Sequence, residues 1–168
     1  MKKRVYIPIL ALSIGLLYGM FSSQFLLDLD LTPKKVDLTF GYIFQNNVSI
    51  ILFMFLGILS FGFVTLIILL INGVSVGILI SEFINTDMAG FVFWNTFPHG
   101  SIEVVGFLLA AIGDMYIIRF LWEWLRRFIL KQNNSSPLSF SALQRGLSFN
   151  VLAICLITVA AVVEVYII

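Results

Sequence analysis

An all-α, polytopic bundle of about five transmembrane helices is the fold this sequence predicts, and three observations carry the prediction. Of the 168 residues, 60% are apolar and only 11% charged, whereas a soluble domain of this size carries about 25% charged residues. Several stretches of about 20 apolar residues match the length a helix needs to cross a hydrocarbon core. The cations gather near the ends of those stretches: Lys2, Lys3 and Arg4 at the start, then Arg119, Arg126, Arg127, Lys131 and Arg145.

The first helix is expected from about Val5 to Leu27. Its basic start imitates a signal peptide, but the apolar run is about 20 residues long and no small-residue cleavage site ends it, so it reads as a retained anchor. Gly15 and Gly19 form a GxxxG step suited to close helix packing. A polar connector, DLDLTPKKVD, separates it from a second helix over about Thr39–Ser60. From Val48 to Ile80 there are then 33 residues without a charge. As one helix they would be about 50 Å long, against a hydrocarbon core of about 30 Å. Orientation decides between one helix and two. Lys2, Lys3 and Arg4 place the N-terminus on the cytoplasmic side, and the later basic cluster joins them there only if the stretch folds back. A tight hairpin near Ser60–Gly62 follows.

The third helix is expected over about Phe63–Phe83, the fourth over about Pro98–Leu121 and the fifth over about Leu147–Ile168. Phe91–Phe97 reads as an incoming half-helix or re-entrant piece. The stretch near 120–131 mixes aromatics with Arg126 and Arg127, as in an interfacial helix that snorkels its cations to headgroups. Only KQNNSSPLS (131–139) resembles a linker, and it is too short to separate domains. Residues 1–168 therefore form one integral membrane domain, multi-pass in the plasma membrane, with a cytoplasmic N-terminus.

Several function classes are excluded. A net charge of +1 offers no basic field for nucleic acid. The single cysteine, Cys155, lies in the last apolar run as a buried or lipid-facing residue, without CxxC or zinc spacing. An intramembrane metalloprotease is disfavoured, because His99 is the only histidine and a catalytic zinc usually takes three protein ligands. No GxSxG elbow or Walker loop occurs. We expect no catalytic residue, no metal and no cofactor.

Ionisable groups inside a membrane cost from about 2.5 kcal/mol upward, so each needs a reason. His99 follows Pro98 and shares a helical face with Glu103, four residues on. Asn46, Asn47 and Asn72 fall at comparable depth, so the five residues can form one polar cluster, with an Asn donating to His99 or Glu103. Asn95 precedes the proline. Asp114 lies on nearly the same face as Glu103, deeper in, with Arg119 beyond it as an ion-pair or relay partner. Glu164 is expected at the outer interface. Small-residue steps at Gly15/Gly19, Gly73/Gly77 and Gly106/Ala110 serve internal packing or self-association.

Three pieces together resemble the stage II sporulation protein M family: QNN at 45–47, NGVSVG at 72–77 and FPHGSIEVVGFLLAAIGD at 97–114. They span about residues 40–115, with Phe97 standing where an aliphatic residue is common. The resemblance makes Asn46, Asn47, Asn72, Gly73, Pro98, His99, Gly100 and Glu103 the family signature. It implies a prokaryotic membrane protein that acts as a non-enzymatic scaffold or partner subunit. The settings it implies are recruitment of peptidoglycan-degrading partners during sporulation, circular-bacteriocin immunity or export, or association with an ABC transporter. Its partners would be the bilayer, other membrane proteins and copies of itself. The alternative class is a transporter or channel component for an ion, small molecule or peptide. That alternative would use the polar cluster together with helix breaks at Asn72-Gly73 and Phe91–Pro98.

Overall fold

The computed structural model describes residues 2–26, 39–85, 89–130 and 140–166. The connectors at 28–37 and 131–139, Lys131 among them, lie outside the described residues, as do the side chains of Lys2, Lys3, Arg4 and Asn95. Among the described residues five helices follow one another: α1 (Lys2–Leu26), α2 (Phe40–Leu56), α3 (Phe63–Asn85), α4 (Ala89–Leu130) and α5 (Phe140–Tyr166). Each contains a segment long and apolar enough to cross a membrane. Among the described residues there is no strand.

Thr39 starts α2 in an extended conformation, with its hydroxyl accepting from the Tyr42 amide at 3.4 Å. The helix tightens into a 3-10 turn at Gly57–Ser60 and then reverses. The reversal is the expected hairpin. Phe61 (φ 54°) and Gly62 (φ 91°) both take left-handed backbone conformations, and the Gly62 amide donates to the Gly57 carbonyl at 2.9 Å. A left-handed conformation strains a bulky residue. The Phe61 ring meets Trp122 edge-on at 5.8 Å, a contact worth about 0.5–1.5 kcal/mol that offsets part of the strain. It also fixes the hairpin beside the basic end of α4.

Two helix pairs dominate the packing. On α1, Gly15 and Gly19 lie directly against Gly73 and Gly77 of α3; a Cβ on any of the four would fall on a backbone carbonyl of the facing helix. These steps serve internal packing, as glycine steps do where helices must approach closely without help from water. The antiparallel pair α4 and α5 is also built on small residues. Gly106 sits against Ile157, and Gly113 against Gly146 and Asn150. Between the pairs lies the core: Ile51 and Met54 of α2, Leu69 of α3, Phe107, Ala110 and Ala111 of α4, and Ala153 and Ile157 of α5.

Two expected boundaries are corrected. The half-helix at 91–97 is absent, since α4 begins at Ala89 and runs through Pro98 without interruption. Proline removes one backbone hydrogen bond, but membrane helices tolerate that loss where neighbours re-satisfy the freed groups. The stretch at 120–130 is helical as expected, and it forms the last turns of α4. With 42 residues, α4 is about 63 Å long, about twice a hydrocarbon core, so its ends extend past the apolar layer. Finally, α5 starts at Phe140 rather than Leu147, because its polar first turns still have a helix to pack on, with Phe140 against Phe120 at 5.4 Å.

Candidate functional site

Polar side chains gather at two levels of the bundle. The first level lies toward the end opposite the hairpin. Asn47, 6% exposed, points from α2 to α4, and its Nδ2 donates to Oε1 of Glu103. Its own Oδ1 accepts from Asn46 Nδ2 at 3.3 Å, so the paired asparagines act in series. His99, one turn before Glu103, does not pair with it. Its Nε2 instead lies 4.0 Å from Oε2 of Glu164 on α5, with both side chains mostly buried. His99 Nδ1 is buried without a hydrogen-bond partner among the described residues. One imidazole, two carboxyls and two amides from three helices thus form one group.

The second level is deeper. Asp114 and Thr65 are both 0% exposed and Asn150 is 8% exposed. Thr65 Oγ1 donates to the Met54 carbonyl at 2.8 Å and lies 3.3 Å from Asp114 Oδ2. Asn150 Nδ2 donates to Asp114 Oδ1 at 3.3 Å and to the Gly146 carbonyl at 3.2 Å. These contacts tie together α2, α3, α4 and α5. Glu103 and Asp114, eleven residues apart, are separated by about 16 Å along α4. The space between them is filled by the apolar core of Ile51, Met54, Leu69, Phe107, Ala110 and Ile157.

Of the five residues expected to cluster, the structure joins Asn46, Asn47 and Glu103 and places His99 beside them through Glu164. Asn72 is not part of the group. Its Nδ2 donates to the Ile68 carbonyl of its own helix at 2.9 Å, which satisfies the amide without a partner from α4. Gly73 serves the α1 contact and Pro98 sits inside α4, so neither marks a break in its helix. Gly100 lies in α4 beside His99, and a Cβ there would meet nothing within 4 Å. The Asp114–Arg119 ion pair does not form. Arg119 Nε pairs with Glu123 at 2.5 Å, because five residues turn a helix by about 140° and four bring side chains back into line.

Glu164, Thr65 and Asn150 escape a reading of α4 alone. Asn150 and Glu164 are nonetheless the isolated polar residues on the face of α5 that also carries Ala153, Ile157, Ala160 and Ala161. Antiparallel pairing with α4 sets that face opposite Asp114 and His99. Among the described residues, no three His, Cys, Asp or Glu side chains are placed to hold a metal ion.

Glu103→Gln should leave stability nearly unchanged, since an amide oxygen still accepts from Asn47. Glu103→Leu should cost about 1–3 kcal/mol, the penalty of an orphaned buried donor. Reversible unfolding in mixed micelles measures both, and equal stability of the Leu variant and the wild type would show that Asn47 finds another acceptor.

Comparison with known proteins places these features in a family. An uncharacterised protein of Methanocaldococcus jannaschii is 28% identical to the chain, over 99% of this chain and 94% of its own length. No solved structure matches. The family described as stage II sporulation protein M matches residues 8–167, a range that takes in both polar levels and all of the bundle except the first turns of α1. The chain therefore belongs to the stage II sporulation protein M family.

Proposed function

We propose that this membrane protein is a non-enzymatic scaffold or partner subunit of a membrane complex, and that it engages its partner through the face of α4 around Gly100. One observation carries the proposal. Glycine inside a helix costs about 0.5–1 kcal/mol relative to alanine, and at Gly100 nothing among the described residues comes within 4 Å of the place a Cβ would take. Gly41 and Gly90 are equally open but lie at helix starts, whereas the other helical glycines each face a neighbour. Phe93 and Phe97, stacked at 4.6 Å, share the Gly100 face at i−7 and i−3 and are 39% and 55% exposed. A bare backbone patch flanked by aromatics suits the close approach of another membrane helix.

The polar residues fit the same role. At both levels they bond mainly to one another across helices, and an apolar layer divides the levels, which favours a locked framework over a conducting path. The partner class follows from the family resemblance: a cell-wall hydrolase complex, an ABC transporter or a second copy of this chain. The setting would be the plasma membrane of a prokaryote with the N-terminus in the cytoplasm, in envelope remodelling or bacteriocin immunity and export.

A photo-crosslinking residue in place of Phe97, used in native membranes, tests this. It should yield one dominant adduct, either a distinct membrane protein or a second copy, and Gly100→Leu should abolish that adduct while leaving the unfolding free energy unchanged. No adduct from the otherwise unaltered chain would overturn the proposal.

A further inference from the structure

The first turns of α5 carry a feature that neither polar level uses. Ser141, Gln144, Arg145 and Ser148 recur at i, i+3, i+4 and i+7 and therefore line one face. With Phe149 and Leu152 they line an open groove of about 480 Å³. The four polar residues are all exposed. The groove is thus polar and cationic in its first two turns and apolar in the next.

The length of α5 places this gradient at the membrane surface. Its 27 residues make a helix about 40 Å long, and Leu147–Tyr166 alone, about 30 Å, crosses a hydrocarbon core. The turns from Phe140 to Gly146 then stand at headgroup level, with Leu152 below them among the acyl chains. The neighbouring wall of the bundle is also cationic. α4 pairs antiparallel with α5, bringing Phe120 to Phe140 and Tyr116 to Phe149 at 5.9 Å, so Arg126 and Arg127 leave the bundle at the same end.

We propose that this groove binds an anionic phospholipid, with its phosphate at Arg145 between the Ser141 and Ser148 hydroxyls and one acyl chain along Phe149 and Leu152. A guanidinium offers several donors in a fork that matches phosphate oxygens, and hydroxyl and amide side chains complete such a shell. The contacts come from side chains along one face, not from the free amides of the helix start. The apolar half of the groove distinguishes a lipid from a free anion, which has no use for Phe149 and Leu152. Basic pockets at the membrane surface are recognised sites for anionic headgroups.

The test uses the full chain, purified in a neutral detergent, with native mass spectrometry counting bound lipid during titration with phosphatidylglycerol, phosphatidylcholine or inorganic phosphate. Phosphatidylglycerol should bind in preference to phosphatidylcholine. Arg145→Gln should weaken it by about tenfold, as loss of a charge-assisted hydrogen bond predicts, whereas Arg126→Gln should have little effect. Leu152→Trp fills the apolar half without changing charge and should also weaken binding, so the proposal remains testable even if Arg145→Gln fails to fold. Three results overturn the proposal: equal binding of both lipids, unchanged binding in Leu152→Trp, or inorganic phosphate displacing the lipid at equal concentration, which would mark a small-anion site only.

Discussion

Gly77→Leu should be among the most damaging single substitutions in the chain. On Gly77 even a Cβ would fall on the Leu16 carbonyl, and on Gly73 it would fall on the Leu12 carbonyl. The obstacle is backbone in both cases, so no side chain can rotate away and the two helices must separate along their shared length. Inserting atoms into a packed interior costs typically about 1–3 kcal/mol, and we expect Gly77→Leu at about 3 kcal/mol. Most of the described face of α1 packs on α3, with little else to hold it once the glycine steps part. Gly100→Ala is the internal control. With open space beside its Cβ it should be neutral or should stabilise by about 0.5–1 kcal/mol. Reversible unfolding in mixed micelles measures the set, and a Gly77→Leu variant as stable as the control would show that α1 is not held by this contact.

The architecture was legible because two independent rules agree on it. Apolar length alone leaves Val48–Ile80 ambiguous between one helix and two, and the distribution of Lys and Arg settles it. The hairpin at Phe61–Gly62 lies where that rule places it. The bond between Asn47 and Glu103 was also legible, since a carboxyl in an apolar helix needs a donor and few amides lie at its depth. What the residues did not reveal is which helix packs on which. Periodicity gives each helix a buried face but not the partner of that face. The position of Glu164 near the end of α5 points to the interface but does not disclose that the α4–α5 register brings it to His99. Sequence proximity points Asp114 to Arg119, whereas its partners are 49 and 36 residues away. Pro98 illustrates a different limit. In water a mid-helix proline usually ends a helix, but a membrane offers the freed backbone no better alternative, so α4 continues through it.

These corrections bear on function. With α3 and α4 unbroken, the described residues contain none of the discontinuous helices from which transporters often build a midplane site. Its polar residues instead act as cross-ties, and each level spans three or more helices. A frame held at two depths, about 16 Å apart, is stiff against sliding of one helix past another. Such stiffness fits the proposed role of presenting a fixed surface to a partner.

Asp114 tests whether the deeper cross-tie matters as a network or only as bulk. Asp114→Asn should be tolerated, because an amide keeps an acceptor for Asn150 and supplies a donor toward Thr65 Oγ1, whose own proton is engaged by the Met54 carbonyl. Asp114→Ala should cost about 2–4 kcal/mol, combining an orphaned Asn150 N–H with the space left behind. The cost is concentrated in Asn150, since its Oδ1 is already buried without a partner among the described residues and Nδ2 would retain only the Gly146 carbonyl. Replacing both partners with apolar groups of similar shape removes the orphan, so Asp114→Leu combined with Asn150→Leu should be less damaging than the two single changes add up to. Contacting residues in such cycles couple by about 0.5–3 kcal/mol, and we expect a value in the upper half of that range for so buried a pair. Strict additivity of the two Leu substitutions would mean that Asp114 and Asn150 merely lie side by side, and the deeper level would then contribute packing alone to the frame.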